Sequence, residues 1–190
     1  YNLWPEAGRI PTWDNLEFFP IHELCYNRHL DDDTSLDILQ FMLSADPGLA
    51  SVRGDGSLIY HAIGEKSYHF CKVLIDAYPE SLRSNEEGLM PIHSACFWGF
   101  YDNQPHRADT IDTVQYMLGL YPESINVTDG RGWSPIHKAA QVKRADIVEL
   151  LLKNDPRAAS SKSENDERQL PLHSACENAH DIEVIQALFD

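Results

Sequence analysis

The chain has 190 residues, 43% of them hydrophobic, with 30 Asp and Glu against 15 Lys and Arg for a net charge of −15. That balance excludes a surface built to hold phosphate backbones or anionic membranes, and it steers basic partners toward the protein. No apolar stretch approaches the ~20 residues of a membrane-spanning helix, and four scattered cysteines (Cys25, Cys71, Cys96, Cys176) are too few for a disulfide framework, so a reducing, intracellular compartment is expected.

Residues 1–13 carry Leu3, Trp4, Pro5, Ile10 and Pro11 without periodicity. They form an extension, either a cap on the exposed end of the main fold or a docking peptide. Because the chain opens at Tyr1, it reads as an internal or processed piece. From residue 14 onward a Pro-aliphatic-His tripeptide recurs at the start of an apolar run: Pro20-Ile21-His22, Pro91-Ile92-His93, Pro135-Ile136-His137 and Pro171-Leu172-His173. Between the first two copies lies a degenerate one, Gly56-Ser57-Leu58-Ile59-Tyr60-His61-Ala62, with Tyr60 at the His position. A block recurring every few tens of residues marks a repeat array. The predicted units are 14–50, 51–83, 84–125, 126–160 and 161–190. The last reaches Asp190 in mid-helix without a stop Pro, so further sequence is expected beyond it.

The fourth unit is the clearest. Asp129-Gly130-Arg131-Gly132 predicts the tip of a β-hairpin, with glycines free to take positive φ. Ser134 stands as an N-cap and Pro135 at the first helical position. Ala139 and Ala140 keep the first helix thin. Ile147, Val148, Leu150, Leu151 and Leu152 make the buried stripe of a second helix, which Pro156 stops. Second helices are likewise expected at Leu36 to Ala45, Phe70 to Ile75, Val114 to Leu120 and Val184 to Phe189.

These residues resemble the ankyrin repeat. Asn126, Asp129, Gly132, Ser134-Pro135-Ile136-His137, Ala139-Ala140 and Ile147-Val148 with Leu150-Leu151-Leu152 match its pattern of an Asp/Gly-rich tip, Thr-Pro-Leu-His-x-Ala-Ala and Ile-Val-x-Leu-Leu-Leu. A tetratricopeptide array of similar period lacks the Pro-Leu-His element. The resemblance implies an α-solenoid of helix-turn-helix units joined by β-hairpin loops. The array departs from the family in several places: Phe19, Met90 and Leu170 replace the capping Ser/Thr, Arg168 stands where Gly is usual, and the fifth hairpin is long and polar.

Repeat positions 22, 60, 93, 137 and 173 are unevenly spaced. From the His position to the stop Pro, the second and fourth units take 19 residues, the first 25 and the third 29. The surplus is expected in helix–helix loops, 27–35 and 99–112, with Phe100 and Tyr101 as anchors of the longer one. The acidic runs Asp31-Asp32-Asp33 and Glu164, Asp166, Glu167 read as solvated loops.

His-x-x-Cys occurs at His22/Cys25, His93/Cys96 and His173/Cys176. Such pairs share a helix face and suit zinc. The fourth unit carries Ala140 at the Cys position, however, so the reading is a structural His beside a small buried hydrophobe, with no metal site. His22, His93, His137 and His173 are expected to tie each first helix to the hairpin before it in the same unit. No nucleophile elbow, phosphate loop, HExxH or dinucleotide fingerprint is present, so neither catalysis nor a cofactor is expected.

The resemblance implies a non-enzymatic protein–protein interaction module or scaffold, binding through hairpin tips and the concave face of the first helices. A regulatory or targeting segment of a larger enzyme, or a structural subunit of a large assembly, are the alternatives. Carried over residue by residue, the binding positions are Phe18, Leu89, Arg131 and Trp133 on the tips, with Tyr26, Phe97, Trp98, Gln141 and Glu177 after the Ala-Ala sites. Aromatic residues rimmed by acids suit a protein partner with a basic and apolar surface, and neither nucleic acid nor membrane insertion is expected.

Overall fold

The structure, a computed structural model, describes residues 19–54, 56–84, 88–98, 109–165, 167–179 and 182–189. Five helix pairs succeed one another: α1 Pro20–Tyr26 with α2 Asp32–Ala45, α3 Leu58–Ala62 with α4 Tyr68–Ala77, α5 Pro91–Phe97 with α6 Asp109–Leu120, α7 Pro135–Gln141 with α8 Ala145–Asn154, and α9 Pro171–Ser174 with α10 Ile182–Phe189. The first helices α1, α3, α5, α7 and α9 pack in sequence in one layer, and the second helices α2, α4, α6, α8 and α10 in another. Between the layers runs one core that includes Ile21, Leu39, Ile59, Phe70, Ile92, Met117, Ile136 and Leu151. Each large side chain so buried contributes about 2 kcal/mol. This is an all-α solenoid.

Among the described residues one ladder exists, Arg53–Gly54 against Gly56–Ser57. In the fourth unit, where the expected β-hairpin is described throughout, residues 129–134 form a turn without strands. There the Asp129 N–H donates to Trp133 O and the Gly132 N–H to Asp129 O, both at 2.8 Å, and the Asp129 carboxylate accepts from the backbone N–H groups of Arg131 and Trp133, both at 2.9 Å, so backbone bonds and one side chain close the turn without a ladder. Successive turns clasp closely. A Cβ on Gly88 would fall 2.4 Å from the Cα of Gly130, and one on Gly132 2.7 Å from the backbone N of Asn165. Gly88 and Gly132 take φ of 84° and 77°, and Arg168, at the same place in the fifth unit, takes φ 49°.

The His residues do more than brace their own unit. Nδ1 of His22, His93 and His173 accepts from the N-cap backbone N–H of Phe19, Met90 and Leu170, at 3.1, 3.2 and 3.1 Å. A ring nitrogen thus satisfies one orphan group of a helix start that has no Ser or Thr. Ser134 does not cap with its hydroxyl as expected, because its Oγ meets His137 Nδ1 at 2.8 Å. The other nitrogen reaches the next unit, not the preceding hairpin. Nε2 of His93 meets Val127 O at 2.9 Å, and Nε2 of His137 meets Gln169 O at 3.0 Å. A carbonyl partner requires the proton on Nε2, which leaves Nδ1 as acceptor, so the neutral tautomer fits both ends. Burial accordingly pushes both imidazoles below their ordinary pKa. Tyr60 replaces the His without losing the bond, since its hydroxyl donates to the carbonyl of Leu89, with that of Ser84 at 3.2 Å, both in the next unit.

Each stop Pro opens a 3-10 turn: Pro47–Ser51, Pro79–Arg83, Pro122–Asn126 and Pro156–Ser160. The described part of the surplus in the first and third units is partly helical, and residues 99–108 of the third lie outside the described residues. Helix α2 begins at Asp32 rather than Leu36, because Asp31 accepts from Thr34 N–H (2.9 Å) and Thr34 Oγ1 (2.8 Å) as a true N-cap. The acidic run is therefore a helix start, with Asp32 and Asp33 favourable in the first turn. Helix α6 likewise starts at Asp109, ahead of Val114. The second-helix stripe of the fourth unit is narrower than expected: Ile147, Val148 and Leu151 are buried, Leu150 and Leu152 half-buried.

Where each insertion departs, the following unit supplies a buried cation. Lys66 Nζ donates to Asn27 O at 2.6 Å and to Ser35 Oγ at 3.1 Å. Arg144 Nη1 donates to Trp98 O at 3.0 Å, while Nε and Nη2 hold Asp146 bidentately at 2.8 Å each. Asn27 and Trp98 are the C-caps of α1 and α5, so each cation satisfies a helix-end carbonyl. Burial raises the thiol pKa of Cys71 to about 12 and those of Cys25 and Cys96 further. Cys176 differs from the expected buried role: it is exposed, on the π-helical turn Ala175–Ala179 that replaces the end of the last first helix.

Candidate functional site

Helix α7 presents one charged residue in an otherwise apolar first half, Lys138, next to the structural His137. Its Nζ lies 2.6 Å from Asp129 Oδ2, with side-chain exposures of 11% and 2%. Burial acts to raise the Asp129 pKa, but Lys138 and the N–H groups of Trp133 and Arg131 outweigh it and hold the carboxyl below its usual range. The ammonium is 5.2 Å from the Trp133 ring centroid and 5.8 Å from that of Phe97. Cation–π contacts of this kind are worth up to ~2 kcal/mol when desolvated. Lys138 thus joins the turn of its own unit to the end of α5 in the unit before.

Around this pair lies a groove of about 490 Å³ between the third and fourth units. Leu89, Phe97, Trp98, Arg131, Trp133 and Gln141 line it, together with Ser94, Asp129, Gly130 and Lys138. Six of the residues singled out from the sequence meet here. Phe97 is 43% exposed, and Arg131 is exposed. Trp98 is half-buried, its ring against Gly64 of the second unit, where an added Cβ would come within 2.8 Å of it. Gly64 takes φ 79°, so the space under the indole depends on glycine. Trp133 places its ring 6.3 Å from that of His137, and its Nε1–H is buried without a partner among the described residues.

The remaining sequence-selected residues lie apart. Tyr26 packs against His61, ring centroids 4.4 Å apart, in the first and second units. Glu177 accepts from Gln169 Nε2 at 3.0 Å in the fifth. Phe18 lies outside the described residues, as do the extension 1–13 and the anchors Phe100 and Tyr101. Sequence reasoning missed Lys138 and the electrostatic part of Asp129. The available signal was a single cation inside Pro-Ile-His-Lys-Ala-Ala, one residue past the structural His.

Among the described residues, no group of three or more His, Cys, Asp or Glu is arranged to hold a metal ion, and no helix is long and apolar enough to cross a membrane. A family model described as ankyrin repeats (three copies) matches residues 106–190. A search of curated proteins finds no significant match. The matched span holds α6 to α10, including the Ser-Pro-Ile-His start of α7 and the turn that builds the groove. Residues 106–190 thus match ankyrin repeats, and the paired-helix architecture of that span continues through the described residues before it.

Proposed function

We propose that the chain is a non-enzymatic protein-interaction module that holds its partner in the groove between the third and fourth units. Ankyrin repeats are in general protein–protein interaction modules. Stacked repeats create extended surfaces of this kind because each unit adds one turn and one first helix. The observation that supports the site is the convergence of Leu89, Phe97, Trp98, Arg131, Trp133 and Gln141 on one cavity of about 490 Å³. Its walls are aromatic, its floor is the desolvated Lys138–Asp129 pair, and the whole chain carries −15. Aromatic anchors in a partly desolvated pocket are typical energetic centres of interfaces, and the net negative charge of the whole chain draws a basic partner.

Affinity capture with the wild-type chain and with a Phe97→Ala variant tests this reading. Phe97 is exposed, so the fold should tolerate the change. A specific partner retained by the wild type should bind the variant at least roughly thirtyfold more weakly, the loss of one hot spot. Equal binding of both chains refutes the groove as the contact.

A further inference from the structure

A second cavity, lined by residues of the first and second units, combines excess charge with an unmet hydrogen bond. It measures about 260 Å³ and opens where the first unit's insertion meets the turn between α3 and α4. Asn27, Arg28, Asp31, Asp32, Glu65 and Lys66 are among its lining residues. Glu65 is buried, with a side chain 5% exposed. Its Oε1 accepts from Arg28 Nη2, while Oε2 is buried with no partner among the described residues. A buried carboxylate oxygen without a donor is unfavourable and calls for an explanation.

The neighbouring groups are already committed. Lys66 Nζ serves Asn27 O and Ser35 Oγ, and both Asp31 oxygens accept from Thr34. Arg28 is 61% exposed and reaches inward onto Glu65 from the insertion. Its pose shows that the carboxylate takes a guanidinium from outside the core. Three carboxylates and two cations line the cavity, leaving one negative charge in excess, in a chain of net −15. These carboxylates are not arranged to hold a metal ion, as no group of three or more His, Cys, Asp or Glu is so arranged among the described residues, so the donor that suits the oxygen is an N–H. The volume suits one extended side chain.

We propose that this pocket receives a Lys or Arg side chain of a basic protein partner, which donates to Glu65 Oε2 beside Arg28 on Oε1. The insertion of the first unit then has a function, for it supplies the Arg28 wall and the Asp31-Asp32 rim of a cation receptor that a 19-residue unit lacks. This goes beyond the groove between the third and fourth units and does not depend on it.

The test is amide NMR of the full chain titrated with Nα-acetyl-arginine methylamide and Nα-acetyl-lysine methylamide, with the uncharged Nα-acetyl-citrulline methylamide as control. Saturable shifts confined to residues 27–32 and 64–66 are expected for a cationic probe and not for citrulline. Glu65→Gln should weaken that binding roughly tenfold, the loss of one charge-assisted hydrogen bond. Arg28→Ala, at an exposed side chain, should tighten it roughly threefold by removing a competing like charge. The second variant decides the matter if the first fails to fold. Equal shifts with citrulline, no shifts at these residues, or unchanged binding in Arg28→Ala would each overturn the proposal.

Discussion

The junction between the first and second units and that between the third and fourth meet the same difficulty with different cations. In each, an insertion leaves the end of a first helix and exposes a C-cap carbonyl to the interior. Lys66 answers Asn27 O, with Ser35 Oγ as its second partner and the Phe70 ring 5.5 Å away, but no carboxylate bonded to it among the described residues. Arg144 answers Trp98 O and carries its own counter-ion in Asp146. Both cations are buried, at 3% and 0% exposure. Burial pushes the lysine ammonium below its ordinary pKa, although Glu65 and Asp32 partly offset this through space. A guanidinium shares its charge over five donors and is less strongly hydrated, so it tolerates the interior better than an ammonium. The Arg junction is accordingly the tighter lock, and it borders the groove.

The largest expected effect is at that lock. Arg144→Ala leaves Trp98 O without a donor, abandons Asp146 and opens a cavity beneath α8. We expect a loss of about 3 kcal/mol in urea unfolding, at the low end for broken buried pairs because Asp146 is 46% exposed and can turn to water. Lys66→Met keeps the volume and removes two donated bonds. Its loss should be about 2 kcal/mol, part of the penalty being returned because a poorly solvated charge is also removed. If Lys66→Met proves the more damaging of the two, the ranking of the junctions is wrong.

Acid should separate the junctions in another way. The third and fourth units are riveted to their successors by His93 and His137, the second by Tyr60. Both imidazoles have folded pKa values below the ordinary value near 6.5, chiefly through burial. The unfolded chain therefore binds more protons between the folded value and about 6.5. Their contribution is complete above that pH and is lost as pH falls through it. Amide exchange at pH 7.5 and 5.5 should show weakened protection around Val127 and Gln169, with Leu89 and Ser84 unaffected. Uniform loss along the array would mean that the ring–carbonyl bonds do not set the acid response.

The range of each interaction decides how much of this is legible in the sequence. The helix pairs, the units and the groove-lining aromatics are local or periodic features, and the Pro-Ile-His-x-Ala-Ala block carries them openly. The second bond of His93 and of His137 is not readable, because it runs 34 or 32 residues ahead to a carbonyl, and carbonyls have no sequence signature. Buried cations are hidden for a different reason. Lysine and arginine in amphipathic segments read as solvated faces, and only stacking of one unit on the next turns Lys66, Lys138 and Arg144 inward. Asp31-Asp32-Asp33 reads as loop because its N-cap role depends on the single Thr34 three residues on.

Arg168 gives the smallest effect and the one with the clearest sign. In the third and fourth units the residue two before the N-cap is Gly88 or Gly132, both with positive φ, and in the fifth it is Arg168 at φ 49°. A non-glycine residue in this region is strained by about 1–2 kcal/mol. Arg168 N–H bonds to Asn165 O and Oδ1, each at 3.2 Å, and these backbone bonds survive substitution. Its side chain is exposed. Glycine also loses more chain entropy on folding, which returns part of the gain. Arg168→Gly should thus raise stability by about 0.5–1 kcal/mol, read as a higher midpoint in thermal unfolding. The same change tests the comparison between turns: a gain places the fifth turn in the same backbone geometry as the third and fourth, held there against its residue's preference. A loss would mean that the arginine side chain contributes more than the strain it imposes.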